Sequence, residues 1–282
     1  MPELRTTIHV SREDGVATVT IDNPPVNVLD VALMTDLRDF LVEARTDRSL
    51  KVIVFDSADP EFFIAHVDMT LIDEPDAFDG LAALAPEGLN VFQAFAELLR
   101  HQPQVTIVKL AGKARGGGAE FVAAADMSFA AIDRAYLAQC ETLMGIVPGG
   151  GGTQYLSHRI GRHRALEVIL SSDLFDAATA ERYGWINRAL DQDKLDAFVD
   201  RLAKNIAALS DGVIAAAKAA VPPADLSRGF QDEHDAWAGL FVRPAAEQLI
   251  RGGLDHGAQT RDGERDLEGV LRGLHPSQPQ HS

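Results

Sequence analysis

Three stretches of this 282-residue chain carry residue types and spacings that could do chemistry. The first is Arg115-Gly116-Gly117-Gly118-Ala119-Glu120, between an apolar run and a helix-like one. Glycine lets a backbone approach a ligand closely, and the N–H groups that open a helix are unpaired and electropositive. Such a turn can hold an anion or an oxyanion that develops during acyl chemistry. It is neither a dinucleotide fingerprint nor a P-loop, since no Lys-Ser/Thr pair follows. Taken alone, three glycines at a strand–helix turn are more often just a tight turn. The second stretch is Glu141, set before the apolar residues 143–148 and the glycines 149–152. A carboxylate losing water there would rise in pKa toward the range useful for proton transfer; a surface glutamate at a strand end has the same local sequence. The third is Phe62-Phe63-Ile64-Ala65-His66-Val67-Asp68-Met69, readable also as a buried loop with a helix cap. The nine histidines show no metal-ligand spacing, so no metal is expected.

The elements that must position these residues alternate in type. Residues 7–10 and Val16–Ile21 read as strands around Glu13, Asp14 and Gly15. Val31–Ala44 has Leu33, Leu37, Phe40 and Leu41 on one helical face, with Asp30 as its N-cap. Residues 52–55 and Val105–Leu110 are apolar and β-branched, as buried strands are. Helices are predicted over 89–99 and 119–125, and a strand over 127–130. This β-then-α order argues for an α/β fold with parallel strands. Beyond Gly152 helical patterns dominate: 164–170, Ala177–Tyr183, 195–209, Val213–Ala220 and several across 227–274. Pro222-Pro223 is a boundary, giving a core of 1–222, a helical region of 223–274 and a disordered tail of 275–282. The acidic, Ala/Pro-rich residues 73–87 read as a mobile loop or short helix.

Composition narrows the function classes. The formal net charge is −16, which repels nucleic-acid phosphates. No stretch reaches the roughly 20 apolar residues of a membrane helix, and the first ten residues carry no signal-like apolar run. One cysteine excludes an internal disulfide framework. A cytoplasmic protein with no nucleic-acid and no membrane partner is expected.

Taken in order, four motifs resemble the crotonase (enoyl-CoA hydratase/isomerase) superfamily. They are Asp22-Asn23-Pro24-Pro25, Phe63-Ile64-Ala65-His66-Val67-Asp68, Gly116-Gly117-Gly118-Ala119-Glu120, and Cys140-Glu141 followed by residues 145–154 ending in Gly151-Gly152-Thr153-Gln154. The likeness spans about residues 16–209. It implies a spiral of ββα units whose C-terminal helices drive assembly into a homotrimer or hexamer. It also implies an acyl-CoA thioester as substrate, its carbonyl oxygen held by the backbone N–H groups of Val67 and Gly117. Ala65, His66, Asp68 and Gly116 would line the substrate site. Glu120 and Glu141 would be the acid/base pair, Glu141 handling the α-proton and Glu120 orienting water. Retention of both favours hydration of a 2-enoyl-CoA. An isomerase or another enolate enzyme (decarboxylase, C–C lyase) is the alternative, and a non-catalytic acyl-CoA-binding subunit a second.

The chain departs from the family pattern at four places. His66 replaces a glycine whose positive φ other residues adopt at a cost, so the loop is expected to differ. His66 is then either packed away or a titratable group in the pocket. Cys140 replaces a proline and reads as a small packing residue. Thr70 stands where hydratases often carry a lysine for the CoA phosphates, leaving Lys113 or Arg115 as substitutes. One extra residue separates the two glutamates, and is placed in the turn Ile132-Asp133-Arg134.

Overall fold

The computed structural model describes residues 5–275. The predicted tail therefore lies outside the described residues, except for His275. The chain opens with the hairpin β1 (Ile8–Glu13) and β2 (Val16–Ile21), antiparallel with Ile8 opposite Ile21. Helix α1 (Val31–Ala44) follows, capped by Asp30, which accepts from the Leu33 N–H at 2.8 Å. Next come β3 (Val52–Ser57), β4 (Phe62–Ile64), a one-turn 3-10 helix (Met69–Ile72), the short α2 (Asp79–Ala82) and α3 (Val91–Arg100). The centre of the chain is β5 (Val105–Leu110), β6 (Lys113–Arg115), α4 (Gly117–Ala124), β7 (Met127–Ala131), β8 (Tyr136–Ala138), a second 3-10 turn (Glu141–Met144) and α5 (Gly152–Ser171). The remainder is β9 (Phe175–Asp176), α6 (Ala177–Tyr183), β10 (Arg188–Leu190) and the helices α7 (Gln192–Ala207), α8 (Val213–Ala220), α9 (Ser227–Phe241), α10 (Pro244–Asp255), α11 (Arg261–Glu264) and α12 (Leu267–Gly273).

Two sheets result. The larger has the order β1-β2-β3-β5-β7-β10, parallel from β2 onward; the smaller has the order β4-β6-β8-β9. From β3 the chain visits the larger sheet, then the smaller, then a helix, and repeats: β3–β4, β5–β6–α4, β7–β8–α5. This is the expected spiral of ββα units. Strand alternation sends Val52, Val54 and Ile107 to one face, against Leu195, Val199 and Ala203 of α7. Ile53, Phe55 and Val108 point the other way, into the main core. Covered on both faces, β3 and β5 need the near-continuous apolar sequence they have. Helix α4 is buried along all eight residues. Its Phe121 packs edge-on against Phe55 at 5.1 Å and stacks on Phe95 at 5.7 Å. That packing holds Gly117 and Glu120 rigidly at the middle of the molecule.

The helices after Pro222-Pro223 fold back on the core. Ala246, Ile250, Leu267 and Leu271 form a third cluster with Met69, Cys140, Met144 and Ile146, on the two 3-10 turns. Residues 73–87 contain α2 and are anchored by Phe78, which is buried and lies 5.3 Å from the Phe92 ring. The predicted helix over 164–170 is the second half of α5, which bends at Gly161 (φ 78°, ψ 157°).

Candidate active site

The structure gathers six of the eight sequence-identified residues around one small cavity of about 90 Å³: His66, Val67, Gly116, Gly117, Glu120 and Glu141. That is room for about three waters at liquid density. Phe92, Met144, Ile146, Trp237 and Phe241 supply apolar walls. Ala65 and Asp68 do not line it. Ala65 packs with Val26, Val28 and Phe62, and Asp68 spends its carboxylate on the 3-10 turn, accepting from the Thr70 N–H and hydroxyl at 2.9 and 2.8 Å. A larger groove of about 400 Å³ runs between α1 and α3 beside Met34, Leu84 and Phe95. Its Glu97 is already paired with Arg100 at 2.6 Å, so it offers no free carboxylate pair.

Val67 and Gly117 both line the cavity. Leu29 and Val67 form a parallel bridge in which the Leu29 N–H donates to His66 O at 2.8 Å and the Asp68 N–H to Leu29 O at 3.2 Å. Both bonds use the groups flanking Val67, so its own N–H and C=O face away from Leu29. Gly117 opens α4, where an N–H has no intrahelical partner. Among the described residues neither N–H finds a protein acceptor. A side chain at position 117 would put its Cβ 2.6 Å from Val67 Cγ2. The two loops therefore approach this closely only with glycine there. His66 is not among the residues with positive φ, which explains why the family's glycine is dispensable in this loop.

The carboxylates stand beside these amides. Glu120 Oε1 accepts from the N–H groups of Gly150 and Gly152, both at 2.8 Å. A Cβ at Gly150 would lie 2.4 Å from Glu120 Oε2, so the glycine run is what lets the chain wrap this carboxyl. Burial, and next the neighbouring Glu233 charge, push Glu120 up to about 8, against the pull of the two N–H groups. Burial and Glu120 likewise push Glu141 well above the carboxylate range. Gln139, with its amide nitrogen turned inward, donates to both Glu141 oxygens at 3.1 and 3.0 Å. Residues 132–134 form a turn, and Glu141 lines the cavity despite the extra residue between the glutamates. Burial raises the Cys140 thiol well up, as does Glu141, and its side chain packs against the C-terminal helices.

Raising an acid's pKa has a stability consequence with a definite sign. Glu120 costs the fold nothing below its ordinary 4.5 and progressively more as pH rises through about 8. Glu120→Gln keeps the shape and the acceptor for Gly150 and Gly152. It is expected to match the parent at pH 4.5 and to exceed it at pH 9 by roughly 2–4 kcal/mol in urea denaturation. Equal stability of the two proteins at both pH values would show that Glu120 is not held in this way.

Three further participants carry no motif. Glu233, from α9, is buried and caps the start of α5: it accepts from the Gly151 N–H at 2.6 Å, the Thr153 N–H at 2.9 Å, the Thr153 hydroxyl, and the Gln93 amide at 3.1 Å. Burial raises it, while those donors favour its anion. Glu264 and Glu268, also buried, enclose Arg115, whose Nε lies 2.6 Å from Glu268 and whose Nη1 lies 3.1 Å from Glu264. Arg115 is fully buried and thus unable to hold a phosphate in solvent. Lys113 donates to the carbonyl of Arg265 at 3.0 Å.

Among the described residues no cluster of His, Cys, Asp or Glu could hold a metal, and no helix is long and apolar enough to cross a membrane. The family profile described as enoyl-CoA hydratase/isomerase matches residues 11–264. A Mycobacterium leprae protein provisionally named an enoyl-CoA hydratase is 30% identical over 243 residues, 84% of this chain and 90% of the relative. A crystal structure from Streptomyces avermitilis, also provisionally named an enoyl-CoA hydratase, shares 63% identity over 96% of this chain and 99% of that one, with a TM-score of 0.95. An enoyl-CoA hydratase from Bacillus anthracis is 25% identical with a TM-score of 0.70, covering 89% of this chain and 96% of its own. Two unpaired amides, two buried carboxylates and these likenesses agree: the chain belongs to the enoyl-CoA hydratase/isomerase family.

Proposed function

We propose that this protein adds water across the double bond of a 2-enoyl-CoA thioester, and catalyses the reverse dehydration. The thioester carbonyl oxygen accepts from the Val67 and Gly117 N–H groups. These amides need no reorganisation as negative charge moves onto that oxygen, so they favour the enolate over the ground state. Burial and the Glu120 charge hold Glu141 in its protonated form, while the Gly150 and Gly152 N–H groups favour the anion of Glu120 against burial and Glu233. Glu120, in its ionised form, takes a proton from water, whose oxygen bonds to the β-carbon. Glu141, protonated, gives its proton to the α-carbon as the enolate collapses. The Gly150 and Gly152 amides ready Glu120 for its anionic role. No cofactor takes part; the acyl-CoA is substrate.

The observation that carries this reading is one small cavity lined by two residues with unpaired amides and two buried carboxylates. The test is α-proton exchange in heavy water across a panel of acyl-CoA thioesters, alongside loss of the enoyl chromophore. Exchange and hydration together are expected. Exchange with double-bond migration and no hydration would turn the reading to an isomerase; no exchange with any thioester would leave only a binding subunit. Assembly as a homotrimer or hexamer belongs to the same proposal, supported by the exposure of Leu170 (66%) and Val242 (80%). Sedimentation at micromolar concentration as a monomer would refute it.

A further inference from the structure

We propose that His66 is a positioning residue for Val67, whose N–H would bind the oxyanion, and that through Glu264 it couples the C-terminal helices to Val67. The proposal rests on the hydratase reading above. In extended backbone a residue's N–H and C=O point the same way, so Val67 presents to the cavity side both the amide that would hold the thioester oxygen and its own carbonyl. A bare carbonyl lone pair there would repel the charge that the amide must stabilise, and the peptide would lower that repulsion by turning. His66 Nδ1 lies 2.7 Å from Val67 O. A carbonyl can only accept, so Nδ1 carries a hydrogen and occupies that lone pair. The ring is thus a brace: Leu29 ties the 66–67 peptide at 2.8 Å and the 67–68 peptide at 3.2 Å, and the ring adds a second, shorter tie to the latter through Val67 O.

The other ring nitrogen, Nε2, lies 2.8 Å from Glu264 Oε1. Glu264 is an anion, held down to about 2 against burial by His66 and Arg115, so Nε2 also donates. Both nitrogens donating makes the ring an imidazolium. Burial pulls its pKa down, and Glu264 outweighs that to raise it. The other charged groups around the ring are Arg115, which opposes its charge, and Glu268 on α12 behind Arg115; Glu141 lines the same cavity. Glu264 also accepts from the Gln259 N–H at 2.8 Å, and Gln259 Oε1 in turn accepts from the Met69 N–H at 2.5 Å. One segment of the C-terminal region therefore grips the 66–69 loop at both of its ends.

Two substitutions separate the ring's two contacts. His66→Asn places an amide nitrogen near Nδ1 and keeps the donor to Val67 O; His66→Gln places it near Nε2 and keeps only the contact to Glu264. Expected for His66→Gln is a roughly 10- to 100-fold lower kcat with KM within about threefold, the signature of a displaced group. Expected for His66→Asn is partial rescue, a kcat at least about fivefold above that of His66→Gln, because the contact to Val67 O is kept. A purely structural histidine would lower melting temperature in both and leave their kcat values alike, and that result, or full activity of His66→Gln, overturns the proposal. The Val67 amide resonance of the ligand-free 15N-labelled protein judges it independently of turnover. It should move in His66→Gln and hold in His66→Asn; equal displacement in both overturns the proposal even in a protein that hydrates nothing.

Discussion

Glu141→Gln is expected to lower kcat for hydration by roughly 10²- to 10⁴-fold, the range that a positioned acid or base contributes, with little change in KM. The amide cannot give up a proton to the α-carbon, yet it fills the same space. Gln139 can turn its own amide to meet the new one, since both oxygens of Glu141 are now served by that residue alone among the described side chains. Solvent deuterium should cease to enter the α-position. Glu120→Gln gives the contrasting result: hydration falls comparably, because water loses its base, while α-proton exchange persists through Glu141. Exchange surviving in Glu141→Gln, or lost in Glu120→Gln alone, would reverse the two roles. Glu233→Gln adds a finer effect. Its charge is the second cause, after burial, of Glu120's elevation to about 8, so removing it should shift the Glu120-dependent limb of the pH–rate profile toward acid. An unshifted limb would mean that burial alone sets Glu120.

Arg115→Met should be the most destabilising single change considered. It leaves Glu264 and Glu268 facing each other without the guanidinium that lies 3.1 and 2.6 Å from them. Breaking a buried pair on one side costs about 3–5 kcal/mol. The loss should appear as a lower urea midpoint and as faster amide exchange over α11 and α12, whose Leu267 and Leu271 rest on Cys140 and Met144. The sign of its pH dependence is fixed. In the parent, Glu264's depressed pKa stabilises the fold above its usual 4.5, and that contribution is lost as pH falls toward about 2. Without Arg115 the paired carboxylates favour protonation, so the deficit should be greatest at neutral pH and shrink below about pH 5. Converting Glu264 and Glu268 to Gln in the same protein should restore much of the stability, because the two carboxylates no longer carry charge and His66, without the Glu264 anion, can shed its proton. A triple variant no better than Arg115→Met would assign the loss to packing of the arginine stem.

Long, periodic elements were legible without coordinates. Val16–Ile21, Val31–Ala44 with its Asp30 cap, Val105–Leu110, Ala177–Tyr183 and Val213–Ala220 have the bounds that their patterns imply, since local periodicity and capping act within a few residues of chain. The smaller sheet was not legible. Its strands are two or three residues long, too short for an alternation to register, and they exist because each ββα turn lays one beside the last. The motif glutamates and the glycine turns that wrap them could be named from their order along the chain, because close backbone approach demands glycine whatever surrounds it. Glu233, Glu264 and Glu268 could not. Each is an ordinary helical glutamate in sequence, and each enters the site only when the C-terminal helices close over it. The same closure decides what His66 is: its residue type permits a ring of either charge, and the neighbouring Glu264 carboxylate, brought from the far end of the chain and out of water, makes it a cation.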